Sequence, residues 1–192
     1  MIAWADVGRA LARRGPVLVG ADIPRAAVAL VLREGPGGLE LLFIRRAEHE
    51  KDPWSGHVGF PGGRAEPEDA SLEATAVRET SEETGLDLRG AGERIGALDE
   101  VNALARGRPV DLAIAPFVFR LHRRLEGAPS HEVVSLHWLP LERLLARETR
   151  STLQHDHEGT ALELPCLRIE GLVIWGLTYR MFDNLRAVLE AP

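Results

Sequence analysis

The chain has 192 residues, 45% of them hydrophobic, and a formal net charge of −6. This length and apolar content suffice for one domain with a full core, so we predict a single domain over residues 1–192. The negative charge argues against a nucleic-acid-binding scaffold but allows local binding of small anions.

Cysteine usage and hydropathy bear on the compartment. Cys166 is the one cysteine, so no intramolecular disulfide can form, and a reducing cytoplasm is the expected location. No window approaches the 18 or more apolar residues that a bilayer span requires. We therefore expect a cytoplasmic protein with no membrane partner.

A helix and a β-hairpin are the first predicted elements. Residues 2–14 have apolar side chains at roughly helical spacing, and Gly15-Pro16 ends the pattern. They predict a helix docked on the main domain, with a homodimer contact as the alternative. The apolar runs 25–33 and 39–45 flank a glycine-rich turn and predict a hairpin. Arg46, which follows the second strand, could bind a diphosphate or pair with a nearby carboxylate.

The central predicted element is a helix that ends near Thr84, with Gly85 as its left-handed cap. Helical spacing predicts one inward-facing stripe that contains Leu72, Ala76, Glu79 and Glu83. Glu82 lies beside this stripe. Carboxylates on such a face need a partner, and oxygen ligands favour Mg²⁺ or Mn²⁺. The alternative interpretation is a solvated acidic helix face.

The second half of the chain predicts strands at 94–101, 111–121, 131–139 and 162–169, and a short helix that begins at Pro140. Residues 149–160 are polar and predict a loop. For its run Gln154-His155-Asp156-His157-Glu158, we favour a solvated loop or substrate lid over a zinc site, because no cysteine or distant histidine pair completes one. A closing helix is predicted at 174–189 with four aromatic or apolar residues facing inward: Trp175, Tyr179, Phe182 and Leu185. The element order predicts an α/β fold, an α/β/α sandwich with a mixed sheet.

The region of the central helix resembles a known signature. Gly62-Gly63 and the later run Arg78-Glu79-x-x-Glu82-Glu83-x-Gly85-Leu86 resemble the Nudix hydrolases, whose pattern is Gly-x5-Glu-x7-Arg-Glu-U-x-Glu-Glu-x-Gly-U, with U a bulky aliphatic residue. Three departures occur: Asp69 replaces the first Glu, eight residues instead of seven separate it from Arg78, and Thr80 stands at the first U. The half from Arg78 onwards is in register, so the resemblance supports the metal site more than the loop geometry. Nudix domains have the α/β/α architecture predicted above.

This resemblance implies metal-dependent hydrolysis of the diphosphate linkage in a nucleoside diphosphate that carries another moiety. Mg²⁺ or Mn²⁺ would be held by Glu79 and Glu83, with Glu82 as a third ligand that also acts in part as a base. Arg78 would hold a carboxylate in place.

The resemblance also implies further roles. Nudix enzymes often place the general base on a distant loop, and Glu132 is the first candidate here, with Glu100 and Asp111 as alternatives. Four residues are expected to contact the substrate: Arg46, Phe60, Gly62 and Gly63.

Two segments resemble the coenzyme A pyrophosphatase subgroup in particular. They are residues 41–46 followed by Gly56-x3-Phe60-Pro61-Gly62-Gly63, and the late run Ile174-Trp175-Gly176-x-Thr178. The subgroup's Thr and Ser are missing, Lys51 stands near its second arginine, and the spacing is one residue longer. The implied substrate is coenzyme A or an acyl derivative, cut to 3′,5′-ADP and a phosphopantetheine. An ADP-ribose or nucleotide-sugar hydrolase is the alternative enzyme, and a non-catalytic nucleotide-binding module is the alternative from another class.

Overall fold

The computed structural model describes residues 2–13, 15–20, 23–49, 55–105, 108–157 and 160–191, so Lys51 and Glu158 lie outside the described residues. The helices are α1 (Trp4–Leu11), α2 (Leu72–Thr84), α3 (Leu88–Ala91), α4 (Leu141–Leu145) and α5 (Gly176–Glu190). The strands are β1 (Arg25–Gly35), β2 (Gly38–Arg46), β3 (Val58–Gly59), β4 (Gly62–Arg64), β5 (Gly92–Ala97), β6 (Val101–Ala105), β7 (Arg108–Leu121), β8 (Val133–Pro140), β9 (Arg150–His157), β10 (Thr160–Ile169) and β11 (Leu172–Trp175). Within these ranges, no helix has the length and apolarity that crossing a membrane would take.

A mixed sheet of eight strands forms the centre of the fold. Its main order is β3-β2-β1-β7-β5, and β4, β6 and β8 pair with β1, β7 and β2. Strands β1 and β7 run parallel from Arg25↔Ala113 to Leu32↔Arg120, whereas the other pairs are antiparallel. A separate sheet of three strands has the order β11-β10-β9. The mixed sheet that the sequence predicted is therefore confirmed.

Helices cover both faces of the central sheet. Side chains alternate along β1: Val28, Leu30 and Leu32 belong to one core cluster, and Ala27, Ala29 and Val31 belong to another. The first cluster includes residues of α1 and α5, among them Val7, Leu11, Phe182 and Leu185. The second cluster includes Ala76 and Val77 of α2. A strand buried on both faces explains the unbroken apolar run that predicted it, and the layers form the expected sandwich.

The predicted hairpin is confirmed, with Gly35 paired to Gly38 across a turn at Pro36-Gly37. The predicted strand at 94–101 is divided between β5 and β6, and both pair with β7.

Two predictions in the C-terminal third are wrong. Residues 149–160 were predicted as a loop, but 150–157 form β9, which pairs with β10 from Arg150↔Leu167 to His157↔Thr160. The pairing satisfies the backbone of a polar segment at the edge of a sheet, so polarity alone misled the prediction. The closing helix begins at Gly176 rather than Ile174. Trp175 therefore ends β11, and it is not part of the helix stripe.

Candidate active site

The central helix α2 has well-defined ends. The Ser71 hydroxyl accepts a hydrogen bond from the Ala74 N–H at 3.1 Å, and Gly85 adopts the left-handed conformation at φ 67°. These are the usual N-cap and C-cap arrangements. The stripe predicted to face inward does so: Ala76 is fully buried and Glu83 is 3% exposed. The helix therefore brings a carboxylate to the edge of the core.

Glu83 is the most deeply buried carboxylate of α2. One oxygen accepts a hydrogen bond from the Gly62 N–H at 2.8 Å, and Oε1 lies 3.6 Å from Nη1 of Arg46. Burial raises the pKa of Glu83 to about 7, against the opposing effects of the Gly62 N–H and Arg46. The charges of Glu79 and Glu132 also contribute to this raised pKa. A cation beside this carboxyl would favour its ionised form.

Glu79 packs against the glycine pair that precedes α2. A Cβ placed on Gly63 would lie 2.5 Å from Cδ of Glu79. A Cβ on Gly62, whose φ is 153°, would lie 2.6 Å from the Cα of Val28 in β1. Burial raises the pKa of Glu79, although neighbouring Arg78 lowers it. Both glycines are thus required for close approach, Gly63 to a carboxylate and Gly62 to a central strand.

Arg78 connects the carboxylates around the helix. Its Nε and Nη2 donate to the two oxygens of Asp69 at 3.1 and 3.0 Å. Its Nη1 donates to Glu79 and Glu82, both at 3.0 Å. The Arg78 guanidinium holds the pKa of Asp69 far below its usual value. These contacts suit the predicted role of Arg78 in holding carboxylates in place.

Glu82 differs from Glu79 and Glu83 in its surroundings. Its side chain is 58% exposed and turns towards Arg78. Across the described ranges, no three His, Cys, Asp or Glu side chains form a group that could hold a metal ion. The structure therefore brings Glu79 and Glu83 together beside the glycine pair, and it leaves Glu82 at the surface, where it shares Arg78 with Glu79.

The loop that carries Glu132 is attached to the end of α2. The N–H groups of Ala128 and Ser130 donate to the carbonyls of Thr84 and Glu83 at 2.8 and 3.0 Å. The Ala47 N–H, next to Arg46, donates to the Glu132 carbonyl at 2.8 Å. Glu132 is 64% exposed, and its charge is among the influences that raise the pKa of both Glu79 and Glu83. The loop that carries the leading candidate for the base is therefore held at the end of α2, while the Glu132 side chain itself is exposed.

A residue that sequence reasoning missed holds the beginning of this loop. Arg33 is 2% exposed and donates to Glu40 at 2.8 Å, to the Leu125 carbonyl at 2.6 Å and to Glu126 at 3.1 Å. Its guanidinium also lies 3.9 Å from the centre of the Trp138 ring. The available signal was that Arg33 directly follows the apolar run 26–32 within a predicted strand, because a buried charge must have partners.

The other predicted site residues lie in different surroundings. The Glu100 carboxylate, 9% exposed, pairs with Arg25 and accepts a hydrogen bond from the Val19 N–H at 2.8 Å. Asp111 lies exposed on β7. The Phe60 ring is 4% exposed and packs on Phe43, with 4.8 Å between ring centres. The prediction that Phe60 contacts the substrate is therefore wrong, because its ring is part of the hydrophobic core.

The late run Ile174-Trp175-Gly176-x-Thr178 touches the strand just before the glycine pair. The Thr178 hydroxyl donates to the Val58 carbonyl of β3 at 2.9 Å, and the Trp175 ring lies 4.8 Å from that of His57. Gly176, with φ 62°, turns the chain from β11 into α5. Two segments that are far apart in sequence are thus in contact, and His57 is also hydrogen-bonded to the backbone of Arg46.

The chain is similar to known proteins in both sequence and fold. The family model described as "NUDIX domain" matches residues 23–158. The chain is 30% identical over 168 residues to an uncharacterized Nudix hydrolase, NudL, of Yersinia pestis, covering 84% of this chain and 77% of that protein. It is 40% identical over 122 residues to an uncharacterized protein of Schizosaccharomyces pombe, covering 60% of this chain and 36% of the relative's length. A crystal structure of a MutT/nudix family protein from Enterococcus faecalis matches 100% of this chain and 73% of its own at 17% identity, with a TM-score of 0.52, which shows a shared fold.

Proposed function

The chain belongs to the Nudix hydrolase family, and on that premise we propose that it cleaves the diphosphate linkage of a nucleoside diphosphate joined to another moiety. Within that class we propose coenzyme A or an acyl-coenzyme A as the substrate, with 3′,5′-ADP and a phosphopantetheine as products. The observation that carries the proposal is the pair Glu79 and Glu83, held on the inner edge of α2 against Gly62 and Gly63.

The carboxylates suit a hard divalent cation. Both offer oxygen atoms, the kind of ligand that Mg²⁺ and Mn²⁺ prefer. Burial raises the pKa of Glu79 and Glu83, so a bound cation would offset an unfavourable negative charge at this position. We propose that Glu79 and Glu83 hold the ion and that Glu82 joins them by turning from Arg78. When bound, such an ion neutralises phosphate oxygens and acidifies a water molecule.

The chain's own groups would orient the substrate. Arg46, which lies 3.6 Å from Glu83 and is 32% exposed, can offer its guanidinium fork to a phosphate oxygen. The lack of side chains at Gly62 and Gly63 lets β1 and the Glu79 carboxylate pack directly against this turn, which keeps the proposed substrate-binding backbone next to the carboxylates. Arg78 keeps Glu79 and Asp69 in fixed positions through the hydrogen bonds described above.

We propose Glu132 as the group that accepts the proton from the attacking water. Its loop is attached to the last carbonyls of α2 and to Ala47, and this attachment supports the proposal by keeping Glu132 near the helix that carries Glu79 and Glu83. Water attack on one phosphorus and release of the other phosphate complete the hydrolysis. In that step Glu132 gains the proton, which solvent then removes.

The choice of coenzyme A is supported by contact between the two segments that resemble the subgroup. In the late Trp-Gly-x-Thr run, Thr178 contacts Val58 of β3 and Trp175 contacts His57, just before Phe60-Pro61-Gly62-Gly63. Contact between the two segments supports their action as a single substrate-binding unit.

The test is a substrate panel with Mg²⁺ or Mn²⁺ and identification of the products. The panel contains coenzyme A, acetyl-coenzyme A, 3′-dephospho-coenzyme A, ADP-ribose and a nucleotide sugar. We expect preference for the coenzyme A species and formation of 3′,5′-ADP. Preference for ADP-ribose or a nucleotide sugar would contradict coenzyme A as the substrate but would still support hydrolysis of a diphosphate linkage. No hydrolysis of any member, together with nucleotide binding, would contradict the enzyme assignment and favour a binding module.

A further inference from the structure

Three rings from three separate strands or loops meet where the two sheets adjoin. Trp175 at the end of β11 lies with its ring centre 4.8 Å from that of His57, at an interplanar angle of 55°. His155 of β9 lies 5.1 Å from Trp175, at 45°. We call His57, Trp175 and His155 the aromatic cluster. All three side chains are only partly buried, so the cluster retains solvent-accessible ring surface.

The aromatic cluster adjoins the proposed phosphate-binding groups. The Arg46 N–H donates to the His57 carbonyl at 3.0 Å, so His57 stands opposite Arg46 at the edge of β2. Arg46 in turn lies 3.6 Å from Glu83. The cluster therefore adjoins the backbone of the residue that is proposed to contact a phosphate.

The chemistry of the cluster suits a planar aromatic ligand. Indole and imidazole rings stack on nucleobases, and tilted aromatic pairs are favourable at ring separations of 4.5–7 Å. The partial exposure of these rings leaves surface for stacking on a nucleobase. The second sheet supplies two of the three rings, His155 from β9 and Trp175 from β11.

We propose that the aromatic cluster binds the nucleobase of the substrate. This inference rests on the proposed function, because it assigns the base-binding part of the same site. It also gives the polar strand β9 a role: His155 brings a ring to the base rather than a ligand to a metal.

Equilibrium binding of two metal-independent probes tests the inference. AMP and ribose 5-phosphate share a phosphate and a ribose, and only AMP carries a base. Neither contains a diphosphate linkage, so binding to the wild-type protein is measured by titration calorimetry without turnover. We expect AMP to bind more tightly than ribose 5-phosphate, and Trp175→Ala to weaken AMP binding about 5- to 100-fold while ribose 5-phosphate changes less than about twofold.

Two variants control for folding and for the loss of a tryptophan. Trp175→Phe keeps an aromatic ring, and it should retain most of the preference for AMP. Trp4→Phe changes a tryptophan of α1 that contacts Glu34 and Arg120, and it should bind AMP like the wild type. If Trp175→Ala does not fold by circular dichroism, His155→Ala replaces it, and AMP binding should weaken selectively there as well.

The inference fails if the wild type binds AMP and ribose 5-phosphate equally, or if the folded variant lacking Trp175 or His155 keeps the wild-type preference. Neither result would contradict the proposed function, because the substrate panel tests hydrolysis separately. Conversely, a base preference that depends on Trp175 in a protein with no hydrolytic activity would refute the proposed function and keep the base site.

Discussion

Replacing Gly63 by alanine should damage activity with little effect on stability. The new Cβ would lie 2.5 Å from Cδ of Glu79 and 2.8 Å from its Oε2. Unstrained carbon atoms approach to about 3.5–4.0 Å, so the carboxylate must move by about 1 Å or more. The obstructing group is the far end of a flexible side chain, which can rotate away without disturbing the backbone.

The expected magnitudes follow from this displacement. A shift of about 1 Å in a catalytic group can cost about 100-fold in rate, so we expect kcat/KM to fall by about that factor. The free energy of unfolding should change by less than about 1 kcal/mol, since no core atom is displaced. Steady-state hydrolysis of the preferred substrate and urea unfolding measure the two quantities.

Gly62→Ala is the matched control for the same substitution one residue earlier. Its Cβ would lie 2.6 Å from the Cα of Val28, a backbone atom of the central strand, at a φ of 153°. Backbone strain of about 1–3 kcal/mol and overpacking of about 1–3 kcal/mol should together reduce the free energy of unfolding by about 2–6 kcal/mol. Full activity in Gly63→Ala would refute the assignment of Glu79 to the site. A loss of stability as large as that of Gly62→Ala would refute the reasoning that only the Glu79 side chain moves.

Three further predictions concern the groups around the helix. Arg33→Met leaves the Glu40 carboxylate unpaired, so the free energy of unfolding, measured in urea, should fall by about 3–5 kcal/mol. The control Arg124→Ala removes an exposed ion pair with Glu126 and should lower the same quantity by less than about 1 kcal/mol. Equal losses in the two variants would contradict the anchoring role of Arg33. Asp69→Asn should cost about 1.5–3 kcal/mol at pH 7. Because Arg78 lowers the folded-state pKa of Asp69, that difference should be complete above about pH 4, the unfolded-state pKa, and should diminish in stronger acid; a difference that persists undiminished at pH 2 would contradict the ion pair. Glu132→Gln should lower kcat about 100- to 10,000-fold with little change in Mn²⁺ affinity, and an unchanged kcat would exclude Glu132 as the base.

Local sequence patterns were sufficient for the elements whose signals lie within a few residues. Gly85 defines the end of α2, and the glycine-rich turn defines the β1–β2 hairpin, because caps and tight turns depend on adjacent residues. The inward direction of Glu83 followed from helical spacing alone.

Features that depend on distant parts of the chain were not predictable in this way. Strand β9 exists because β10 pairs with it, and its own polar residues carry little strand signal. The contacts of Arg33 with Leu125 and Glu126 join residues more than ninety positions apart, and no local pattern reveals them. Phe60 shows the opposite error, since an aromatic residue inside a functional motif was assigned to the substrate although its ring completes the core.

The most direct test of the account compares two glutamine substitutions on one helix. Glu83→Gln removes the buried carboxylate that contacts the Gly62 N–H. Glu73→Gln changes an exposed residue of the same helix, whose partner is Arg94 at 3.4 Å. Hydrolysis of the preferred diphosphate with saturating Mg²⁺ or Mn²⁺ is measured for both variants, after circular dichroism has established that both are folded. The account predicts a loss of at least about 100-fold for Glu83→Gln and near-wild-type activity for Glu73→Gln; near-wild-type hydrolysis by folded Glu83→Gln would contradict the assignment of this helix as the catalytic centre.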